Sequence, residues 1–161
     1  MIYRHGRTAY HCGAMTSVGL ISDTHGLLRP EAVAALAGVD LILHAGDVGD
    51  PAIIDTLRRI APVHAVLGNV DTGAWLPESR IVQIEDSRVC VLHDISDLSS
   101  TANLDAVVYG HSHKPSIENK NGVLFVNPGS AGRRRFRLPA TVGRLRVEGT
   151  TLEAEIITIA E

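Results

Sequence analysis

Five stretches of this chain share one design: a short aliphatic run that stops at a residue able to bind a cation. They are "GLISDTH" (19–25), "LILHAGD" (41–47), "AVLGN" (65–69), "VCVLHD" (89–94) and "AVVYGHSH" (106–113). Short runs rich in Val, Ile and Leu that end in polar residues read as buried strands. In open α/β sheets, the crevice beyond the carboxyl ends of the strands is where ligands bind. A chain built this way must fold into sheets, and one rim can gather Asp23, His25, Asp47, Asn69, His93, His111 and His113.

The connecting segments set the topology. Residues 29–38 ("RPEAVAALAG") read as a helix with Pro30 at its start, Glu31 near the positive end of the dipole, and Gly38 at its end. Residues 50–61 ("DPAIIDTLRRIA") place Asp50 as N-cap, with Ile53, Ile54, Leu57 and Ile60 on one face. Strands at 17–22, 39–47 and 62–69 complete a β-α-β-α-β unit, which implies parallel pairing with right-handed crossovers. The second half is mostly β, with a hairpin over 80–94 and strands at 104–110, 115–119, 123–130, 140–149 and 151–159. The predicted class is α/β, with two sheets face to face and helices outside.

The 161 residues suit a single domain. The expected division is an ill-ordered extension over 1–14 and one domain over 15–161. A net charge of −3 argues against a protein that holds nucleic acid through overall positive charge. Two cysteines, Cys12 and Cys90, lack CxxC partners, so a disulfide framework is not expected and a reducing cytoplasm is. No apolar stretch approaches the ~20 residues of a membrane-spanning helix.

The ligand types narrow the chemistry. Asp, Asn and His without thiolate favour Mn²⁺, Fe, Zn²⁺, Co²⁺ or Ni²⁺ over soft ions or Ca²⁺. Seven donors exceed what one tetrahedral zinc takes and suit two metals sharing a carboxylate. Taken singly, each residue has a plainer reading. Asp23 and Asp47 could cap loops or helices, Asn69 could serve a turn, and the histidines could be half-buried hydrogen bonders. It is their conjunction at strand ends that points to a metal centre. His44 and His64 lie inside strands and read as core or interface residues.

The ordered set D-x-H, G-D, G-N, a lone His and G-H-x-H resembles the calcineurin-like metallophosphoesterase superfamily. "NPGS" (127–130) and the short length resemble its small single-domain phosphodiesterase branch, which also includes the retromer subunit Vps29. That resemblance implies a four-layer α/β/β/α sandwich of two mixed sheets with flanking helices. It implies two divalent transition metal ions, Mn²⁺ first. Asp23, His25 and His113 would hold one, and Asn69, His93 and His111 the other. Asp47 would bridge. Asp47, Asn69 and His93 are the implied catalytic residues, and the implied reaction is in-line attack on a small phosphoester by a metal-bridging hydroxide. Phosphomonoester hydrolysis and a non-catalytic scaffold like Vps29 are the alternatives.

Two positions depart from the superfamily pattern. Val70 stands where many members carry a histidine proposed to protonate the leaving group, and Asp94 stands where glycine is usual. Asp71 is a candidate substitute acid, although a structural role is the expectation. Arg133, Arg134, Arg135 and Arg137 could anchor a polyanion or nucleic acid, but the acidic remainder of the chain favours a solvated loop. The sequence also allows a homo-oligomer.

Overall fold

The computed structural model describes residues 2–5 and 14–161. Among the described residues, eleven strands form two mixed sheets packed face to face. In the first sheet β2 (Met15–Ile21), β3 (Leu41–His44) and β4 (Val63–Ala65) run parallel. Antiparallel β10 (Ala140–Glu148) and β11 (Thr151–Ala160) extend it beyond β2. In the second, β6 (Ser87–Leu92), β7 (Ala106–Val108) and β9 (Val123–Asn127) are the parallel core. Antiparallel β5 (Ser79–Ile84) and β8 (Ser116–Lys120) form its edges.

The core between the sheets is aliphatic because aromatics make up only 4% of the chain. Val18, Leu20, Leu43 and Leu145 from one sheet meet Val89, Val91, Val108, Leu124 and Val126 from the other, all without exposure. Each buried side chain of this size contributes roughly 1.5–3 kcal/mol of transfer free energy. Helices α1 (Pro30–Ala35) and α2 (Pro51–Arg58) cover the outer face of the first sheet through Ala32 and, just past α1, Leu36, and through Ile53, Ile54 and Leu57 of α2. Asp50 caps α2, its carboxylate accepting the Ala52 N–H at 2.9 Å.

The two-sheet sandwich agrees with the sequence expectation. Its fourth layer is thin. Among the described residues a single 3₁₀ turn, Ile95–Asp97, and the loop after it lie over Cys90, Leu92, Val107 and Phe125. Segment 94–103 is too polar and too short to form a longer helix. Several strands end earlier than their apolar runs, because the last residues of each run leave the sheet to form the rim loops, and both helices end earlier than expected, α1 at Ala35 and α2 at Arg58. Of the segment expected to be ill-ordered, Ile2–His5 form strand β1 beside β11, and residues 6–13 lie outside the described residues. Among the described residues, no helix is long and apolar enough to cross a membrane.

The parallel strands decide where the site lies. β2, β3 and β4 deliver their carboxyl ends to one rim, and β6 and β7 deliver theirs to the facing rim of the second sheet. All five aliphatic runs therefore discharge their polar residues into one place.

Candidate metal centre

Asp23 is fully buried and its two oxygens face different surroundings. Oδ2 accepts the Ser22 hydroxyl at 2.7 Å and the His111 N–H at 3.2 Å. Oδ1 makes no hydrogen bond although it is buried, and it lies 3.2 Å from His113 Nε2 and 3.6 Å from His25 Nε2. Asp47, 2% exposed, accepts the Val70 N–H on Oδ1 at 2.9 Å. Its Oδ2 lies 3.2 Å from His93 Nε2 and 3.5 Å from His25 Nε2. His93 Nε2 is 2.9 Å from Asn69 Oδ1, and His111 Nδ1 is 3.2 Å from that same oxygen. All seven predicted residues thus converge. Donor atoms of Asp23, His25 and His113 lie within 4.8 Å of one another, and so do those of Asp23, Asp47 and His93.

Backbone conformation aims these side chains. Asp23, His25, Asp47, His111 and His113 all have φ between 45° and 70°. Non-glycine residues enter this left-handed region at a cost of about 1–3 kcal/mol each, and such strain gathers at functional sites. Two glycines permit the close approach. A Cβ on Gly68 would lie 2.1 Å from Asp47 N and from Asp47 Oδ1, and one on Gly110 would lie 2.1 Å from Ser22 Oγ. The sequence reading missed most of the supports behind the rim. Asn127 of "NPGS" donates to the Gly110 carbonyl at 3.0 Å, and Ser130 of the same motif donates to the Asp23 carbonyl at 3.0 Å. Asp71 accepts N–H groups from Val48, Gly49 and Gly68 at 2.8–3.1 Å, tying the β3 and β4 loops together, which is the structural role expected of it.

The electrostatics suit a cation. Burial raises the pKa of both Asp23 and Asp47. The facing imidazole of His113 for Asp23 and of His93 for Asp47, together with the Ser22 hydroxyl and the Val70 N–H that the two carboxylates accept, outweighs it, and both carboxyls end below their ordinary range. Two ionised carboxylates therefore sit side by side, and among the described residues no Lys or Arg pairs with either. Burial lowers the pKa of His25 and keeps it a neutral donor. Burial also opposes charge on His93, but bonding to Asp47 and the Ala45 carbonyl prevails and raises its pKa. His93 Nδ1 is 2.8 Å from that carbonyl, so Nδ1 carries the hydrogen and Nε2 turns its lone pair to the site. A buried, unpartnered carboxylate oxygen facing imidazole nitrogens is what a divalent cation satisfies. The donor set fits the metals expected from the sequence.

His44 is core, as expected, and it also braces the rim. Its Nδ1 accepts the Gly46 N–H at 3.2 Å, so its Nε2 carries the hydrogen and donates to Thr24 Oγ1 at 3.0 Å. Thr24 in turn donates to the Val48 carbonyl at 2.9 Å. Complete burial pushes the His44 pKa down to about 4 from 6.5. A depressed folded pKa means that the unfolded chain takes up the proton first, so His44 contributes stability above pH 6.5 that is lost as pH falls toward 4. Between pH 7 and pH 5, denaturant titration should show wild type losing roughly 2 kcal/mol more than His44→Gln loses. Equal losses would remove this account of His44.

Asn69, His93 and His111 form one wall of a cleft of about 900 Å³. Its floor includes Cys90, Leu92 and Leu104, and Asp71, Glu78, Asp94 and Asp97 bring acidic groups to it. Asp94 caps the 3₁₀ turn through the Ser96 N–H at 2.9 Å, and its Oδ2 lies 3.7 Å from His111 Nε2. The residue in the usual glycine position therefore orders the cleft wall beside a candidate ligand.

The calcineurin-like phosphoesterase superfamily domain matches residues 16–150. A probable metallophosphoesterase of Methanothermobacter thermautotrophicus is 39% identical over 157 residues, covering 87% of this chain and 91% of its own. A phosphodiesterase of Methanocaldococcus jannaschii is 28% identical, covering 81% of this chain and 93% of its own. The structure of Entamoeba histolytica Vps29 complexed with zinc superposes with a TM-score of 0.73 at 20% identity, covering 89% of this chain and 99% of that one. The family match spans most of the chain and the first of these relatives is 39% identical over 87% of it, so the chain belongs to the calcineurin-like phosphoesterase superfamily.

Proposed function

We propose that this chain, through one domain over residues 15–161, is a phosphodiesterase that works with two divalent cations. The observation that carries this reading is the buried, unpartnered Asp23 Oδ1 among imidazole donors, with Asp47 facing both histidine groups. Asp23, His25 and His113 would hold one ion, and Asn69, His93 and His111 the other, with Asp47 shared. When bound, such ions neutralise phosphate oxygens and supply an activated water near neutral pH. The protein's own part is positioning. Asp23 and Asp47 stay ionised, the Ala45 carbonyl fixes the tautomer of His93, and the Asn69 amide lies where it can also meet a phosphate oxygen. Val70 offers no proton to a leaving group, which suits esters whose alcohol leaves readily.

The acidic groups of the cleft favour a diester over a monoester. A diester brings one negative charge past Asp71, Glu78, Asp94 and Asp97, while a monoester brings nearly two. The test is to strip the protein and add back Mn²⁺, Ni²⁺, Co²⁺, Zn²⁺ or Mg²⁺. Bis(p-nitrophenyl) phosphate should then be hydrolysed at least about tenfold faster than p-nitrophenyl phosphate, a difference of ~1.4 kcal/mol. The variants His111→Ala and His113→Ala should each lose one ion of two by metal analysis, with different residual metal preference. No turnover with any metal on either ester would favour a scaffold like Vps29.

A further inference from the structure

The two flanks of the metal centre differ in charge. On the cleft side, Asp71, Glu78, Asp94 and Asp97 line the wall, and among the described residues no Lys or Arg does. On the opposite side the chain leaves β9 and passes the site as "GRRRFRL", carrying four arginines within residues 133–137. The root of this loop is fixed to the backbone of the candidate ligands. The Ala131 N–H donates to the Ser22 carbonyl at 3.0 Å, and Gly132 approaches Thr24 so closely that a Cβ would lie 2.2 Å from its carbonyl oxygen. Arg29 donates to the Gly132 carbonyl at 3.0 Å. The loop therefore emerges beside His25, and the charge of Arg135 acts on that imidazole.

Folding does not account for what the loop presents. Arg134 is used within the fold, bonding the Leu138 and Glu161 carbonyls. Among the described residues, the guanidinium groups of Arg133, Arg135 and Arg137 make no hydrogen bond or ion pair, and the Arg135 carbonyl accepts the Leu138 N–H at 3.3 Å. Phe136 is 94% exposed and is held at φ 58°, a conformation unfavourable for a bulky residue. An exposed ring between arginines, in an otherwise acidic chain, matches what binds a nucleotide: the ring stacks on a base and the guanidinium groups take phosphate.

Resting on the phosphodiesterase reading above, we infer that the loop over residues 133–137 is the substrate-docking arm, which binds a nucleotide bearing a second phosphate beyond the scissile one. Phe136 stacks on the base and Arg135 meets the second phosphate. The uncharged ester arm then points to the acidic cleft.

Three p-nitrophenyl diesters with the same leaving group separate the parts. They are bis(p-nitrophenyl) phosphate, the p-nitrophenyl ester of thymidine 5′-phosphate, and that ester with an added 3′-phosphate. In wild type, kcat/KM should rise about tenfold with the 3′-phosphate, chiefly through KM, and the gain should shrink with added salt. Arg135→Ala should remove that gain. Phe136→Ala should lower the ratio of the thymidine ester to bis(p-nitrophenyl) phosphate by about tenfold. Equal losses on all three esters, or no gain from the 3′-phosphate, would overturn the inference while leaving the phosphodiesterase reading intact. Should none of the esters turn over, that reading falls, and calorimetry with thymidine 3′,5′-bisphosphate and metal-free protein still decides about the loop. Weaker binding by Arg135→Ala and Phe136→Ala supports the arm, and unchanged binding rejects it.

Discussion

Asp47→Asn should lower kcat with the preferred metal by at least about a thousandfold, or ~4 kcal/mol. Asparagine keeps the shape of the side chain, so the Val70 N–H still finds an oxygen acceptor. What changes is the other atom. Oδ2 faces His93 Nε2 at 3.2 Å and His25 Nε2 at 3.5 Å. An amide there has no negative charge and can present a donor where a cation needs an acceptor. Because this atom stands between the two imidazoles, the loss reaches both proposed ion positions. The protein should still fold, since removing one of two adjacent buried carboxylates relieves repulsion. Thermal melts supply the check: Mn²⁺ should raise the melting temperature of wild type and much less that of Asp47→Asn. Turnover within tenfold of wild type would remove Asp47 from its shared position.

Gly68→Ala should both destabilise the protein and impair its activity. Its Cβ would lie 2.1 Å from both the Asp47 amide nitrogen and Oδ1. Neither atom can step aside. The nitrogen is backbone in the loop after β3, and the oxygen is held by the Val70 N–H at 2.9 Å. The loops after β3 and β4 must separate, which breaks the Asp71 tie and carries Asn69 away from His93. Overpacking of this kind costs roughly 3 kcal/mol, which lowers the melting temperature of a chain this size by roughly 10 °C. Misplacement by an ångström at a reacting centre costs on the order of 100-fold in rate. Gly122→Ala serves as the contrast. Gly122 has φ 82° in a hairpin with open space around it, so only backbone strain of about 1 kcal/mol is expected, without loss of activity. Similar effects from both variants would show that crowding against Asp47 is not what matters at residue 68.

The residues that gather at the rim were legible because their chemistry and their position coincide. Asp23, Asp47, Asn69, His93 and the pair His111 and His113 each follow an aliphatic run, and parallel strands deliver such positions to one edge. The supports were not legible. Asn127 and Ser130 act across more than a hundred positions in one case, Ser130 to Asp23, and across 17 in the other, Asn127 to Gly110. Nothing local to "NPGS" names those partners. His44 read as a core histidine and is one, but its contacts with Gly46 and Thr24 depend on how β2 and β3 pair. The helix layer over the second sheet is thinner than the family pattern implied, because residues 94–103 hold Asp94 as a cap for one short turn and little that could bury.

Alternation of apolar runs with turn and cap residues determined the β-α-β-α-β start and the strand-rich second half, and it put the seven candidate ligands just past strand ends. These are local properties, fixed by side-chain type and spacing. Only the tertiary structure decided which oxygen of Asp23 is left without a partner, that Asp47 faces two imidazole groups, and that an arginine loop flanks one side of the centre while carboxylates flank the other. Those facts arise from chain segments that are distant in sequence, and no periodicity within a segment encodes the ångströms between them.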